Sequence, residues 1–530
     1  MSTTLWSRIL MILALGSAVV FCWPVCVSDI PLQLDEHVSW WIVDDASPGT
    51  LTERSLNVAA TPPLGSWPQQ WSVALLGKSE LALRLPSLIA FVLAVWVTLR
   101  CGVALQLSGG TGPVVGGLAA LLLVWHPVVL DEVRIGRCYG QTLLLSAICF
   151  RLLIGWRNYP QSWKRAVGFA LASAALAWTH YVAVLFPVCI AVSLVAANLR
   201  ERRGTTGFQP ELWIVGLVVA LATLLCWPLL SVVFRLHVVG DLMNLQSDSS
   251  LIPALIGKFN WVYIAGCLLG SAVAGRIMGG EPVRTRSRAV AGPDKFLLAS
   301  TLLPMGLFCL LSLTAVSSVA NSPRYAVAYL VPQVLCVALL TVRFARESAP
   351  GALIGVVAGV ATMWCVLARS PLEPLRLSQS PAVEWKKIGA IIEQEGEEGE
   401  PLLVQSGLVE SALVPMMYHD PVFLDYAACR AGRFYISTPH PRFALPYLWD
   451  VKTGVTEYFL ERFHEFAQRP NSRLWIAAAM DTDLNEHSMM TLQRILTMNG
   501  WECVGRTEFD NSVLEQYRYR GTPADGIDQR

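Results

Sequence analysis

Charge is scarce in this chain: Asp, Glu, Lys and Arg make up 15% of the 530 residues, where a water-soluble chain carries about a quarter. A bilayer excludes charge, so the deficit points to a membrane before any segment is read. Basic clustering is missing too. A formal net charge of +1 gives no support for nucleic-acid binding, which needs a basic patch or stripe, and no nucleic-acid partner is expected. No CxxC pair occurs, so a zinc or dithiol redox motif is not expected. A Gly-rich nucleotide loop is also missing. Neither a cofactor nor a metal is expected.

What is present is apolar, 54% of the chain, with 13 cysteines. Most of these cysteines, among them Cys22, Cys26, Cys149, Cys189, Cys226, Cys267, Cys309, Cys336 and Cys365, lie inside apolar runs and act there as small hydrophobes. Cys429 and Cys503 lie in polar surroundings, where a disulfide between them is open. Runs of the length that crosses a bilayer, roughly 17–25 residues, fall near 6–27, 85–107, 112–130, 141–156, 166–178, 181–199, 211–233, 258–275, 295–317, 325–342 and 350–368. This predicts about eleven transmembrane helices. The first run lacks a small-x-small cleavage site before Asp29 and is read as a retained helix. The long stretch 166–199 is divided at Trp178-Thr179-His180-Tyr181.

Basic residues support that division. With the N-terminus inside, Arg151, Arg157, Lys164, Arg165, Arg200, Arg202, Arg203, Arg276, Arg284, Arg286, Arg288, Lys295, Arg343 and Arg346 all fall on the cytoplasmic side, as the positive-inside bias requires. Reading 166–199 as one helix would place basic loops on both sides.

The character changes near Arg369-Ser370-Pro371. Beyond it, Val383–Glu395, Val455–Gln468 and Met489–Met498 have amphipathic helical spacing, while Pro401–Ser406 and Leu474–Met480 are short apolar runs bounded by polar residues. Alternating helices and strands predict an α/β domain. The expected organisation is a transmembrane module over 1–369, with a first external loop at 28–84, followed by a soluble extracytoplasmic α/β domain over 370–530.

Polar residues concentrate in the external turns. Asp35 and Glu36 open the first loop, either as functional acids or as a helix start. Asp131, Glu132, Arg134, Arg137 and Tyr139 follow span three. In a helix Arg134 and Arg137 would share a face, available to a phosphate or to a salt-bridge network with the two acids. His180 marks the next turn, as a ligand or a local hydrogen-bonding group. Arg324 and Tyr325 open span ten. A cation at a helix N-terminus opposes the dipole and so suggests an anionic ligand, with snorkelling to lipid phosphate as the plain alternative. A carboxylate and several cationic donors at a membrane edge suit a displacement in which an anionic lipid phosphate departs. A transporter or flippase would instead carry ionisable groups inside its spans. A non-catalytic scaffold with a binding tail would have no use for these groups.

Five segments, in order, resemble the GT-C superfamily of membrane glycosyltransferases, in the branch of the dolichyl-phosphate-mannose protein mannosyltransferases and the lipid A aminoarabinose transferases. They are LDEHVSWW (34–41), TPPLGSWPQQWSVALLGKSELALRLPSLIAF (61–91), DEVRIGRCYGQTLLL (131–145), WTHYVAVLF (178–186) and SPRYAVAYLVP (322–332). The resemblance implies a polytopic helical fold and a polyprenyl-phosphate-linked sugar as donor. The acceptor would be a hydroxyl of a lipid, glycan or protein, reached at the outer face of the cell membrane. It also implies that Asp35, with Glu36 beside it, serves as base or acceptor-orienting group. Arg137, Tyr139, His180, Arg324 and Tyr325 would lie at the donor phosphate. One base without a protein nucleophile implies inversion. The loop 234–257 is too short for the sugar-binding insert of the eukaryotic protein mannosyltransferases, and Cys138 stands where the family often has a small residue or proline.

Overall fold

A computed structural model describes residues 3–59, 61–107, 110–159, 162–201, 261–278, 291–312, 323–366, 382–431, 434–469 and 472–521. These form two compact units that do not follow chain order. The first comprises 3–28, 61–77 and the helical part from 84 to 366, and the second comprises 29–59, 78–83 and 382–521. Most of the expected first external loop therefore packs with the C-terminal part. The expected span 211–233, the loop 234–257, Arg284–Arg288 and the boundary near 370 lie outside the described residues.

The first unit is helical. Four described helices are long and apolar enough to cross a membrane: Thr4–Val27, Glu80–Ala104, Tyr139–Asn158 and Arg324–Phe344. A fifth candidate is the pair Gly112–Val124 and Pro127–Val133, bent by 62°. Its bend has a local cause. Proline disfavours a helical residue before it, and His126, preceding Pro127, is extended at φ −75°, ψ 119°. Shorter apolar helices, Tyr181–Ala196, Tyr263–Ile277, Lys295–Leu307 and Ala349–Cys365, and the helix Trp163–Thr179 occupy further expected segments. The break at 178–181 is present: the helix Trp163–Thr179 stops at His180, which is extended at φ −154°.

Large apolar side chains line the outside of these helices, including Ile12, Trp23, Leu171, Leu269 and Val357. Water does not tolerate such a surface over several helices, whereas lipid does. Helix contact inside the unit uses small residues. In Tyr263–Ile277 and Ala349–Cys365, Gly266, Gly270, Gly355 and Gly359 bring the backbones together. A Cβ on Gly355 would collide with Ser271 Oγ, and one on Gly359 would meet Tyr263 O at 2.8 Å.

The second unit is built on a five-stranded sheet of β1 (Leu402–Gln405), β2 (Arg442–Ala444), β3 (Arg473–Ala479), β4 (Trp501–Glu508) and β5 (Ser512–Tyr519), in the order β2-β1-β3-β5-β4. The first three are parallel, with Leu402 opposite both Arg442 and Trp475. The last two run antiparallel, with Ala477 opposite Leu514. Buried β1 and β3 are the apolar runs read from sequence. Polar, exposed β4 forms an edge. The helices Ala382–Glu395, Val455–Ala467 and Asp483–Met498 occupy the expected positions. Cys429 is buried and Cys503 exposed, both as free thiols, so no disulfide joins them.

Candidate functional site

In the first unit the quoted motifs meet around one turn. The helix Pro127–Val133 ends at Arg134, and Tyr139 begins the next helix. Arg137 therefore sits in a turn, its N–H donating to Ile135 O at 2.7 Å. The segment is not one continuous helix, so Arg134 and Arg137 do not share a helical face: the chain leaves the helix before Gly136. Gln69 Nε2 donates to Gly136 O at 2.7 Å, and Gly140 N donates to Ser87 Oγ at 3.1 Å. Gly65 fits for want of a side chain, since a Cβ there would come within 2.5 Å of Cys138 Cβ. Residues from two of the quoted segments, 61–91 and 131–145, thus lock the turn that presents Arg137.

Four rings pack beside that turn. His180 lies with its ring centroid 5.6 Å from Tyr139, 5.4 Å from Tyr181 and 5.5 Å from Tyr325. Tyr181 and Tyr325 hydroxyls are 3.5 Å apart, and Tyr329 donates to Val182 O at 2.9 Å. The Arg324 guanidinium is 5.4 Å from the Tyr325 ring centroid, close enough for a cation–π contact. Arg137 and Arg324 both lie within electrostatic reach of His180. Burial, then these two cations, push the imidazole down to about 3, so His180 is neutral near pH 7. Glu132 joins the two arginines in electrostatic reach of Tyr139. Tyr139, His180, Arg324 and Tyr325, singled out from sequence, come together in the fold; Tyr181, which the sequence places at the same turn without a site role, joins them.

An apolar cavity of about 570 Å³ opens elsewhere in this unit, lined by Cys189, Val192, Ser193, Ala196, Leu302 and Leu303, among others. Its walls are two helices, Leu185–Glu201 and Ala291–Ser312.

Asp35 and Glu36 belong to the second unit, in the first turn of the helix Leu34–Val43. Glu36 is fully buried and its carboxylate accepts from Gln33 N at 2.8 Å, closing a capping box. That satisfies the plain reading of an acid at a helix start. Asp35 is half-buried. His37, also fully buried, is pushed down to about 3 by burial and by Arg430. Among the described residues no group of three or more His, Cys, Asp or Glu is arranged to hold a metal ion.

No family model matches the sequence, and no curated protein matches it either. Solved structures do. ArnT from Cupriavidus metallidurans bound to undecaprenyl phosphate superposes with a TM-score of 0.58 at 12% identity, covering 97% of this chain and 98% of that one. Its apo form gives 0.57 at the same identity and coverage. The chain shares the fold of these two structures. An oligosaccharyltransferase from Archaeoglobus fulgidus aligns less well, with a TM-score of 0.46 at 9% identity over 89% of this chain and 68% of that one. At such identities the likeness is one of fold. Within this fold, segments as distant as Gly65, Ser87 and Gly140 pack at one turn.

Proposed function

We propose that this protein is an integral membrane glycosyltransferase that moves a sugar from a polyprenyl-phosphate carrier to an acceptor hydroxyl, with inversion, at the outer face of the cell membrane. The supporting observation is the convergence of Arg137 and Arg324 on the neutral His180–Tyr325 cluster. Two guanidinium groups offer planar donor forks to a phosphate, and a neutral imidazole adds a hydrogen bond without a further charge. The fold shared with a protein solved with undecaprenyl phosphate supports the same donor class. The apolar cavity offers a place for part of a polyprenyl chain.

The reaction runs in one displacement. Asp35 takes the proton of the acceptor hydroxyl as its oxygen bonds to the anomeric carbon, a general-base contribution of roughly 10²–10⁴-fold. The anomeric carbon–oxygen bond breaks, and the electron pair leaves with the lipid phosphate, whose charge Arg137 and Arg324 stabilise. Tyr139 and Tyr325 frame that phosphate with His180. Glu36, committed to its cap, holds the helix that carries Asp35. About eleven membrane crossings then place the catalytic groups and the C-terminal domain outside the cytoplasm.

The test is transfer by purified full-length protein in liposomes, with undecaprenyl-phosphate-linked sugars as donors and extracted cell-envelope lipids and glycans as acceptors. Release of undecaprenyl phosphate together with a glycosylated product is expected. Donor binding without release for every sugar offered would contradict the proposal.

A further inference from the structure

The helix Leu34–Val43 has ten residues, and a helix that short is marginal in water without tertiary contacts. Its contacts come from the C-terminal part of the chain. Tyr435 touches the backbone before Asp35 and the side chain after it. Its hydroxyl accepts from Leu32 N at 2.7 Å, and its ring meets the fully buried His37 edge-on at 5.6 Å. The same hydroxyl donates to Glu80 Oε1 at 3.3 Å, and Glu80 pairs with Lys386, which also reaches Asp29 at 2.6 Å. Toward the other end of the helix, Trp40 meets Phe434 edge-on at 5.0 Å, with Lys78 above both rings. Trp41 packs on Tyr426 and donates from Nε1 to Asp425 Oδ2 at 2.8 Å. Asp425 is itself fixed by buried Arg442 at 2.5 Å.

We infer that the C-terminal α/β domain is the positioning element of the catalytic loop, with Tyr435 as the positioning residue that brackets Asp35. The inference rests on the base role proposed for Asp35 and assigns a function to a domain whose fold alone suggests none. The bracket is specific. A general base must hold its oxygen within hydrogen-bond reach of the proton it removes. Leu32 and His37 flank Asp35 by three and two residues, so both sides of its turn are held through one side chain. Tyr435→Phe removes the hydroxyl and keeps the ring contacts with His37 and Lys386. It separates this task from general packing.

The experiment compares full-length protein with Tyr435→Phe and, at the far end of the helix, Trp41→Phe. Three quantities are read: amide hydrogen exchange, binding of undecaprenyl phosphate, and sugar transfer in native membranes. Exchange over 34–43 should quicken about tenfold, the worth of one hydrogen bond, while β1 and β3 stay protected. Undecaprenyl phosphate should bind as before, and kcat should fall by about the same factor. In an Asp35→Asn background Tyr435→Phe should cost nothing further in transfer. Unchanged exchange in both variants would overturn the inference, as would faster exchange with full transfer. If Asp35→Asn alone leaves transfer intact, the proposed reaction scheme fails instead, and the exchange data still decide whether the domain orders the loop.

Discussion

The imidazole of His180 meets the ring of Tyr325 edge-on, centroids 5.5 Å apart and planes at 63°. These residues come from two different quoted segments, and Arg137 and Arg324 both act on the imidazole. Its proton affinity follows from that position. An ordinary histidine titrates near 6.5, and here the value falls to about 3. The folded state therefore resists a proton that the unfolded chain accepts. The stability contribution is full above about pH 6.5 and is lost as pH falls from there toward 3. Between roughly pH 7.5 and pH 5 His180 should cost about 2 kcal/mol of stability. His180→Gln should flatten the pH dependence of the melting temperature over that interval. An unchanged profile would show that His180 titrates normally.

Donor binding should depend on the two arginines. Arg137→Ala and Arg324→Ala should each weaken undecaprenyl phosphate binding by about ten- to a hundredfold, the worth of a hydrogen bond to a charged group. Lysine should restore part of the affinity, because it keeps the charge and loses the fork. Fluorescence titration in liposomes measures this, with the melting temperature as control.

Helix packing in the first unit is sharpest at Gly355, where any Cβ collides with Ser271 Oγ and would lie 2.7 Å from Cys267 O. Gly355→Val should destabilise by about 1–3 kcal/mol or more through overpacking. The yield of folded protein after extraction and its melting temperature report the loss. Ser271→Gly should recover part of it by removing the struck atom.

In the second unit Asp425→Ala strands buried Arg442 and takes the acceptor from Trp41 Nε1. Breaking one side of a buried ion pair costs about 3–5 kcal/mol. Replacing both partners, as Asp425→Leu with Arg442→Met, should cost less than Asp425→Ala alone. Chemical denaturation of the full chain, followed by tryptophan fluorescence, compares the two.

Helix positions were legible because lipid demands long apolar runs, and the break at His180 showed as a polar interruption in one of them. Strands β1 and β3 were legible as short buried runs. Strands β4 and β5 were not: β4 is a polar edge with Trp501 as its only buried residue, and its pairing with β5 is irregular between Cys503 and Gly505. The packing of 29–59 with the C-terminal part was also invisible, since Trp41 and Asp425 stand 384 residues apart and neither motif names the other. At Arg134–Arg137 local spacing could not decide whether the segment is helical, and a helix end and a turn stand there. The ring cluster around His180 was legible residue by residue through the resemblance, while its closure by Tyr181 needed the fold.

Asp35→Asn keeps the size of the side chain and the helix start, where Glu36 supplies the cap, and removes the proposed base. Transfer from undecaprenyl-phosphate-linked sugar by full-length protein in liposomes is the direct measurement, paired with undecaprenyl phosphate binding. The account predicts that transfer falls by roughly 10²–10⁴-fold while binding stays within about twofold of the unsubstituted protein, since the arginines are intact. Transfer at the unsubstituted rate in Asp35→Asn would contradict it.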